Sequence, residues 1–174
     1  KSNVKEFKQI MEDNDVKAVS FYFYQRGNAA EDVETVRSSL DFMAECGVHR
    51  ISIQGAGKKG GHATPEELKA VLRYLEEVGK ICKPYNIVPC VHPHANTMIM
   101  YENEIDFVMN NTDPDFIAFG PDTAHLTVGL CDAVKIYKRY ASRIKFTHLK
   151  DVRKNKEAKV NDDKQGFEVF SSFL

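Results

Sequence analysis

Six residues carry most of the reactive side-chain chemistry in this chain. His92 and His94 stand one residue apart in CVHPHANT (90–97), at the end of an apolar run. Asp122 and His125 follow in FGPDTAH (119–125), then His148 and Lys150 in FTHLKD (146–151). Imidazole nitrogen with carboxylate oxygen suits a divalent cation such as Mn²⁺, Co²⁺, Fe²⁺ or Zn²⁺. Imidazole also titrates near neutral pH, so the same groups can move protons. Each has a plainer reading. A strand-end histidine is commonly a hydrogen-bonded structural group. Asp122-Thr123 can cap a helical turn, and Lys150-Asp151 can be an exposed ion pair.

These residues need elements that bring them together. Short runs rich in β-branched and aromatic residues predict strands at Val16–Tyr24, His49–Gln54, Ile87–His92, Phe116–Phe119 and Ile144–Leu149. Helical spacing lies between them. Residues 31–46 set Val33, Val36, Leu40 and Met43 on one face, behind a capping box from Asn28 to Glu31. Thr64-Pro65-Glu66-Glu67 opens another helix, with Thr as cap, Pro at the first position and Glu67 reaching back. Leu68, Val71, Leu72, Leu75 and Val78 continue it. Residues 101–110 and 132–141 predict shorter helices.

The alternation repeats about every 30 residues, which predicts βα units around a parallel sheet. A doubly wound sheet and a (β/α)8 barrel both satisfy it. Neither G-x-G-x-x-G nor G-x-x-x-x-G-K-[ST] follows the first strand, which argues against a dinucleotide fold or a P-loop. The glycine-rich QGAGKKGG (54–61) is expected to be a mobile loop. An intact (β/α)8 barrel needs about 250 residues, so 174 hold part of one.

Side chains alternate along a strand. Val88, Cys90, His92 and His94 therefore share a face, as do Phe116, Ala118, Gly120 and Asp122, and Ile144, Phe146, His148 and Lys150. Three successive strands thus deliver metal-capable or ionisable groups to their C-terminal ends, the edge where barrels and open α/β sheets place active sites. His49 and His62 fall outside this set and read as surface residues. In FYFYQRG (21–27), Tyr22 and Tyr24 point one way and Phe21 and Phe23 the other.

Composition narrows the partners. A net charge of −1, with Lys and Arg scattered, removes the electrostatic case for nucleic acid. The densest basic run, Arg153-Lys154-Asn155-Lys156, reads as a solvated loop. No apolar run approaches the roughly 20 residues of a membrane span. The four cysteines are dispersed, as in reduced thiols of a cytoplasmic protein. A homo-oligomer is compatible with all of this. The chain begins at Lys1 inside a helical pattern (Val4, Phe7, Ile10, Met11) and stops at Leu174, so it is expected to be a fragment, or the ordered part, of a longer protein.

VHPHANT (91–97), TDPDFIAFGPDTAH (112–125), RIKFTHLKDVR (143–153) and, weakly, FSSFL (170–174) together resemble the sugar isomerase/epimerase superfamily with the xylose-isomerase-like TIM barrel. Within it, the chain looks most similar to the inosose dehydratase branch. The resemblance runs from about residue 16 to 153, and its specific part is D-T-x-H followed by R-I-x-x-x-H-x-K-D. It implies an α/β (β/α)8 TIM barrel, here about five βα units in one domain over residues 1–174, truncated at both ends. The family's metal set is Glu, Asp, His and Glu. Asp122 matches the Asp and His148 the His. His92 holds the place of the first Glu, with His94 at the neighbouring histidine of that motif. The last Glu would fall beyond residue 174.

The resemblance therefore implies His92, Asp122 and His148 as metal ligands, and His94, His125 and Lys150 as catalytic or substrate-contacting groups. The implied cofactor is a divalent cation, Mn²⁺ or Co²⁺ first, then Zn²⁺, Fe²⁺ or Mg²⁺. The implied chemistry is a lyase or isomerase reaction on a keto-polyol or sugar through an enediolate, led by dehydration of an inosose. A sugar or sugar-phosphate isomerase/epimerase is the nearest alternative. An AP-endonuclease-like repair enzyme would need a basic DNA face, which a net charge of −1 and scattered Lys and Arg do not supply, and a non-catalytic sugar-binding barrel is the remaining class.

Overall fold

Four parallel strands form the central sheet of the computed structural model, which describes residues 3–58, 60–154 and 170–173. They are β1 (Phe21–Tyr24), β2 (Arg50–Gln54), β3 (Val88–His92) and β4 (Ala118–Phe119), adjacent in chain order. Tyr22 pairs with Ser52, Ser52 with Cys90, and Cys90 with Ala118. One step further along, Tyr24 pairs with Gln54 and Gln54 with His92. Those residues share one face of the sheet. Ile51, Ile53, Val91 and Phe119 occupy the other, inside the main apolar core.

Parallel neighbours need crossover connections, and helices supply them. Helix α1 (Val4–Asp13) precedes β1; the connecting helices are α2 (Ala29–Arg37), α3 (Leu40–Glu45), α4 (Pro65–Cys82), α5 (Glu102–Asn110), α6 (Thr123–Val128) and α7 (Ala133–Arg139). Helix α4 starts as expected: Thr64 accepts from the Glu67 N–H while Glu67 accepts from the Thr64 N–H. Its Leu68, Val71, Leu75 and Val78 pack into the core beside Ile105, Val108 and Met109 of α5. Burying each such side chain stabilises the fold by about 1.5–3 kcal/mol relative to exposure. No helix among the described residues is long and apolar enough to cross a membrane.

Several local expectations change. Residues 31–46 form two helices, α2 and α3, because Ser38 and Ser39 turn their hydroxyls onto the Thr35 carbonyl and compete with the helical ladder. Asn28 makes no side-chain cap; the buried Asp32 accepts from the Arg26 and Gly27 N–H groups instead. β1 starts only at Phe21, since β2 offers Ile51 opposite Phe21 and the ladder extends no earlier. The glycine-rich loop is tied down at its start: Lys58 N–H donates to the Asn96 carbonyl and Met98 N–H to that of Ala56.

The fifth expected strand is not a continuous ladder. Isolated parallel bridges join Phe119 to Ile144 and Asp122 to His148. Three residue steps on one side face four on the other, so the second segment carries one extra residue, as in a β-bulge. This segment still occupies the next parallel position beside β4, so the chain carries five βα-type positions of a TIM barrel. Beyond it, β5 (Val152–Lys154) pairs antiparallel with β6 (Phe170–Phe173), so Arg153 and Lys154 lie in a strand and not in a loop. Asn155 and Lys156 lie outside the described residues.

Candidate metal centre

β3 ends at His92, whose side chain is 1% exposed. Its Nδ1 lies 3.0 Å from the Gly120 carbonyl oxygen. A carbonyl only accepts, so Nδ1 carries the hydrogen and Nε2 keeps a lone pair. Burial pushes the His92 pKa down to about 4, so the ring is neutral at pH 7. Gly120 makes this approach feasible: an added Cβ would lie 3.1 Å from Cβ of Cys90 and 3.4 Å from the Phe146 ring.

Asp122 is fully buried, and its two oxygens do different work. Oδ1 accepts from the N–H groups of Ala124 (2.9 Å) and His125 (3.0 Å), capping α6. Oδ2 meets Nζ of Lys150 at 2.8 Å and Nδ1 of His148 at 3.4 Å. Asp122 thus caps the helix through one oxygen and faces Lys150 and His148 with the other. Burial pushes the carboxyl pKa up, but the Lys150 ammonium and the His125 N–H outweigh it and hold it below the usual range. Thr123 fixes the Lys150 backbone, accepting from its N–H at 2.9 Å and donating to its carbonyl.

Ala95 sets the other two rings. Its N–H donates to Nδ1 of His125 at 3.2 Å, and its carbonyl lies 2.9 Å from Nδ1 of His94. The neutral tautomers are therefore opposite: His125 carries its hydrogen on Nε2, whereas His94 has a bare Nε2. The rings stack with centroids 3.6 Å apart. Burial, then the neighbouring His94 charge, pushes His125 down to about 3; burial also lowers His94 and His148. The His92 ring lies 4.8 Å from that of His148 and 5.9 Å from that of His125. All six residues singled out by the sequence gather at one sheet edge. His49 and His62 do not join them.

This donor set fits a divalent cation. One ligand atom each from His92, Asp122 and His125 lies within 4.8 Å of the others. The neutral His125 tautomer has no lone pair to spare, however, because Nδ1 is taken and Nε2 is protonated. His148 lies outside that group, but its buried Nδ1 faces Oδ2 at 3.4 Å, a gap that two donors sharing one cation at about 2.1 Å each would span. The ammonium of Lys150 competes for the same oxygen.

Two contributors escape a reading of strand-end histidines. Glu104, fully buried, accepts from the N–H groups of Ala63 (2.6 Å), Met100 (2.8 Å) and Tyr101 (2.9 Å), joining the loops after β2 and β3. Its place three residues after Tyr101 is a capping-box spacing and was the available signal. Gln54 is the register partner of His92, and its amide oxygen accepts from the Tyr22 hydroxyl.

Comparison with known proteins agrees with this architecture. An inosose dehydratase of Clostridium perfringens is 30% identical over 180 residues, covering 95% of this chain and 61% of that protein. One from Geobacillus kaustophilus is 29% identical over 150 residues, covering 79% of this chain and 49% of its own length. The chain thus spans about half to three fifths of the length of these relatives. Among solved structures, the IolI protein with a bound zinc atom matches with a TM-score of 0.76 at 12% identity, covering 94% of this chain and 62% of that one. A sugar phosphate isomerase/epimerase of Parabacteroides distasonis matches at 0.70 and 21%, covering 91% and 60%. The family model described as xylose isomerase-like TIM barrel matches residues 1–171, and the chain belongs to that family.

Proposed function

We propose that this chain supplies the metal and substrate pocket of a cytoplasmic enzyme acting on a keto-polyol or sugar, with dehydration of an inosose-like ketone as the leading reaction. The observation that carries the reading is a neutral His92, its Nε2 bare, with a ligand atom within 4.8 Å of one on Asp122, beside the contact between Asp122 Oδ2 and His148 Nδ1. The inosose dehydratases among the relatives support the substrate class.

His92, Asp122 and His148 are the residues to hold the cation. A divalent metal bound there would supply Lewis-acid polarisation of a carbonyl and its neighbouring hydroxyl. His94 is the general base: its ring is neutral at pH 7 and its bare Nε2 can take the proton α to the carbonyl. His125 presents an Nε2–H donor to a substrate oxygen. Lys150 balances the buried Asp122 charge and can turn to a substrate oxygen. Returning the proton to carbon gives epimerisation or isomerisation. Passing it to a departing β-hydroxyl releases water and leaves a carbon–carbon double bond.

Sugar epimerisation is the second reading, favoured by the sugar phosphate isomerase/epimerase likeness in fold. Turnover by the intact protein on inososes, ketoses and hydroxypyruvate separates the two, with water loss diagnostic of the first. Metal dependence is tested by chelation, readdition of Mn²⁺ or Co²⁺, and the variants Asp122→Asn and His148→Ala. If chelation changes nothing and both variants keep full activity, the metal reading is wrong.

A further inference from the structure

We infer that Gln54, oriented by Tyr22, reads the hydroxyl pattern of the polyol in this site. The inference rests on the keto-polyol reading and names the side chains that select among stereoisomers.

Gln54 ends β2 on the face that carries His92, as its direct register partner on the adjacent strand. An amide there stands beside the candidate metal ligands. Its rotation is not free, because the Tyr22 hydroxyl donates to Oε1. Tyr22 is itself held: it pairs with Ser52 one layer below, and its ring meets His92 edge-to-face with centroids 5.7 Å apart. A phenol is protonated at neutral pH, so the Tyr22 hydroxyl is a donor.

With Oε1 engaged, the Nε2 hydrogens of Gln54 have no acceptor among the described residues, and the side chain is only half-buried. The Tyr22 oxygen, having donated, keeps lone pairs that can accept. The pair therefore offers two donors and one acceptor in fixed order. A vicinal diol of one configuration can satisfy all three, while its epimer leaves at least one unmet. Polar groups left unmet on binding are what separate close analogues. Gln54 is thus a specificity determinant, and Tyr22 both orients its amide and supplies the acceptor.

The test is calorimetric titration of the intact protein, loaded with Mn²⁺, with myo-, scyllo- and D-chiro-inositol, which differ in hydroxyl configuration. Wild type is expected to prefer one isomer. Gln54→Leu should weaken that isomer by about tenfold, the worth of about two hydrogen bonds, and erase the preference. Tyr22→Phe keeps the ring and frees the amide, and should weaken it by about threefold with a smaller preference. Mn²⁺ affinity should be unchanged in both, which a collapsed site would not allow. If wild type discriminates and both variants discriminate equally well, the inference falls while the polyol reading stands. If wild type binds none of the isomers, both fall together.

Discussion

Acid should unfold the metal-free protein through its buried histidines. His92 is 1% and His125 4% exposed, and burial brings their pKa values to about 4 and about 3. In the unfolded chain both rings titrate near pH 6.5. A base whose folded pKa is depressed stabilises the fold fully above the unfolded pKa and loses that contribution as pH falls. Between pH 6.5 and about 4.5, the proton uptake on unfolding rises from half a proton per ring to nearly one. Each proton is worth about 1.4 kcal/mol per pH unit, so two rings over two units remove about 5 kcal/mol. Domains of this kind are stable by about 5–15 kcal/mol, so the loss is large. His94 is lowered in the same direction and adds to it. Asp122, also held low, loses its contribution only as pH falls through the carboxylate range, below this window. Urea unfolding in chelator, followed by circular dichroism from pH 7 to 4.5, measures the slope. Wild type should lose about 3 kcal/mol per unit or more below pH 6, and His92→Gln about 1 kcal/mol per unit less. A slope near zero in wild type, or an unchanged slope in the variant, refutes the account.

Other perturbations follow from the same geometry. In Gly129→Ala the new Cβ would overlap the Met100 carbonyl oxygen, which is backbone and cannot swing away. Thermal melting should fall by roughly 6–12 °C, as overpacking by about 3 kcal/mol would produce. Glu104→Ala leaves the N–H groups of Ala63, Met100 and Tyr101 without their buried acceptor and should cost about 3 kcal/mol or more in urea unfolding. Lys150→Met removes the cation beside buried Asp122 and should destabilise the metal-free protein by about 1–3 kcal/mol. Added Mn²⁺ should raise the melting temperature of this variant more than that of wild type, because the ammonium no longer competes for Oδ2. Equal shifts would mean that Lys150 and the metal do not share that oxygen.

The barrel units were legible because their signals are local. Thr64-Pro65 followed by Glu67 specifies a helix start, and the apolar period after it specifies the buried face; both appear as expected in α4. Strand alternation placed His92, Asp122 and His148 at one edge, and the Asp122–His148 bridge brings the last two together. Less was legible where competing contacts decide. Ser38 and Ser39 break a helix through hydroxyl contacts that the apolar period does not register. The segment at 144–149 has strand composition but becomes a bulged edge, because β4 offers only two ladder residues before Gly120-Pro121. Proline has no N–H to give a ladder.

By itself, the sequence determined the βα order, the apolar faces and the set of residue types at the C-terminal edge. Those follow from side-chain period, propensity and chain direction, which neighbours along the chain settle. Tertiary structure alone decided protonation and partnership. The Gly120 carbonyl leaves Nε2 of His92 bare, and Ala95 gives His94 and His125 opposite tautomers. Lys150 lies against Asp122, and Tyr22 turns the amide of Gln54. Most of these contacts join residues 27 or more positions apart. Hydrogen bonds and ion pairs act over about 3 Å, so which groups meet depends on how the strands pack side by side and not on spacing along the chain.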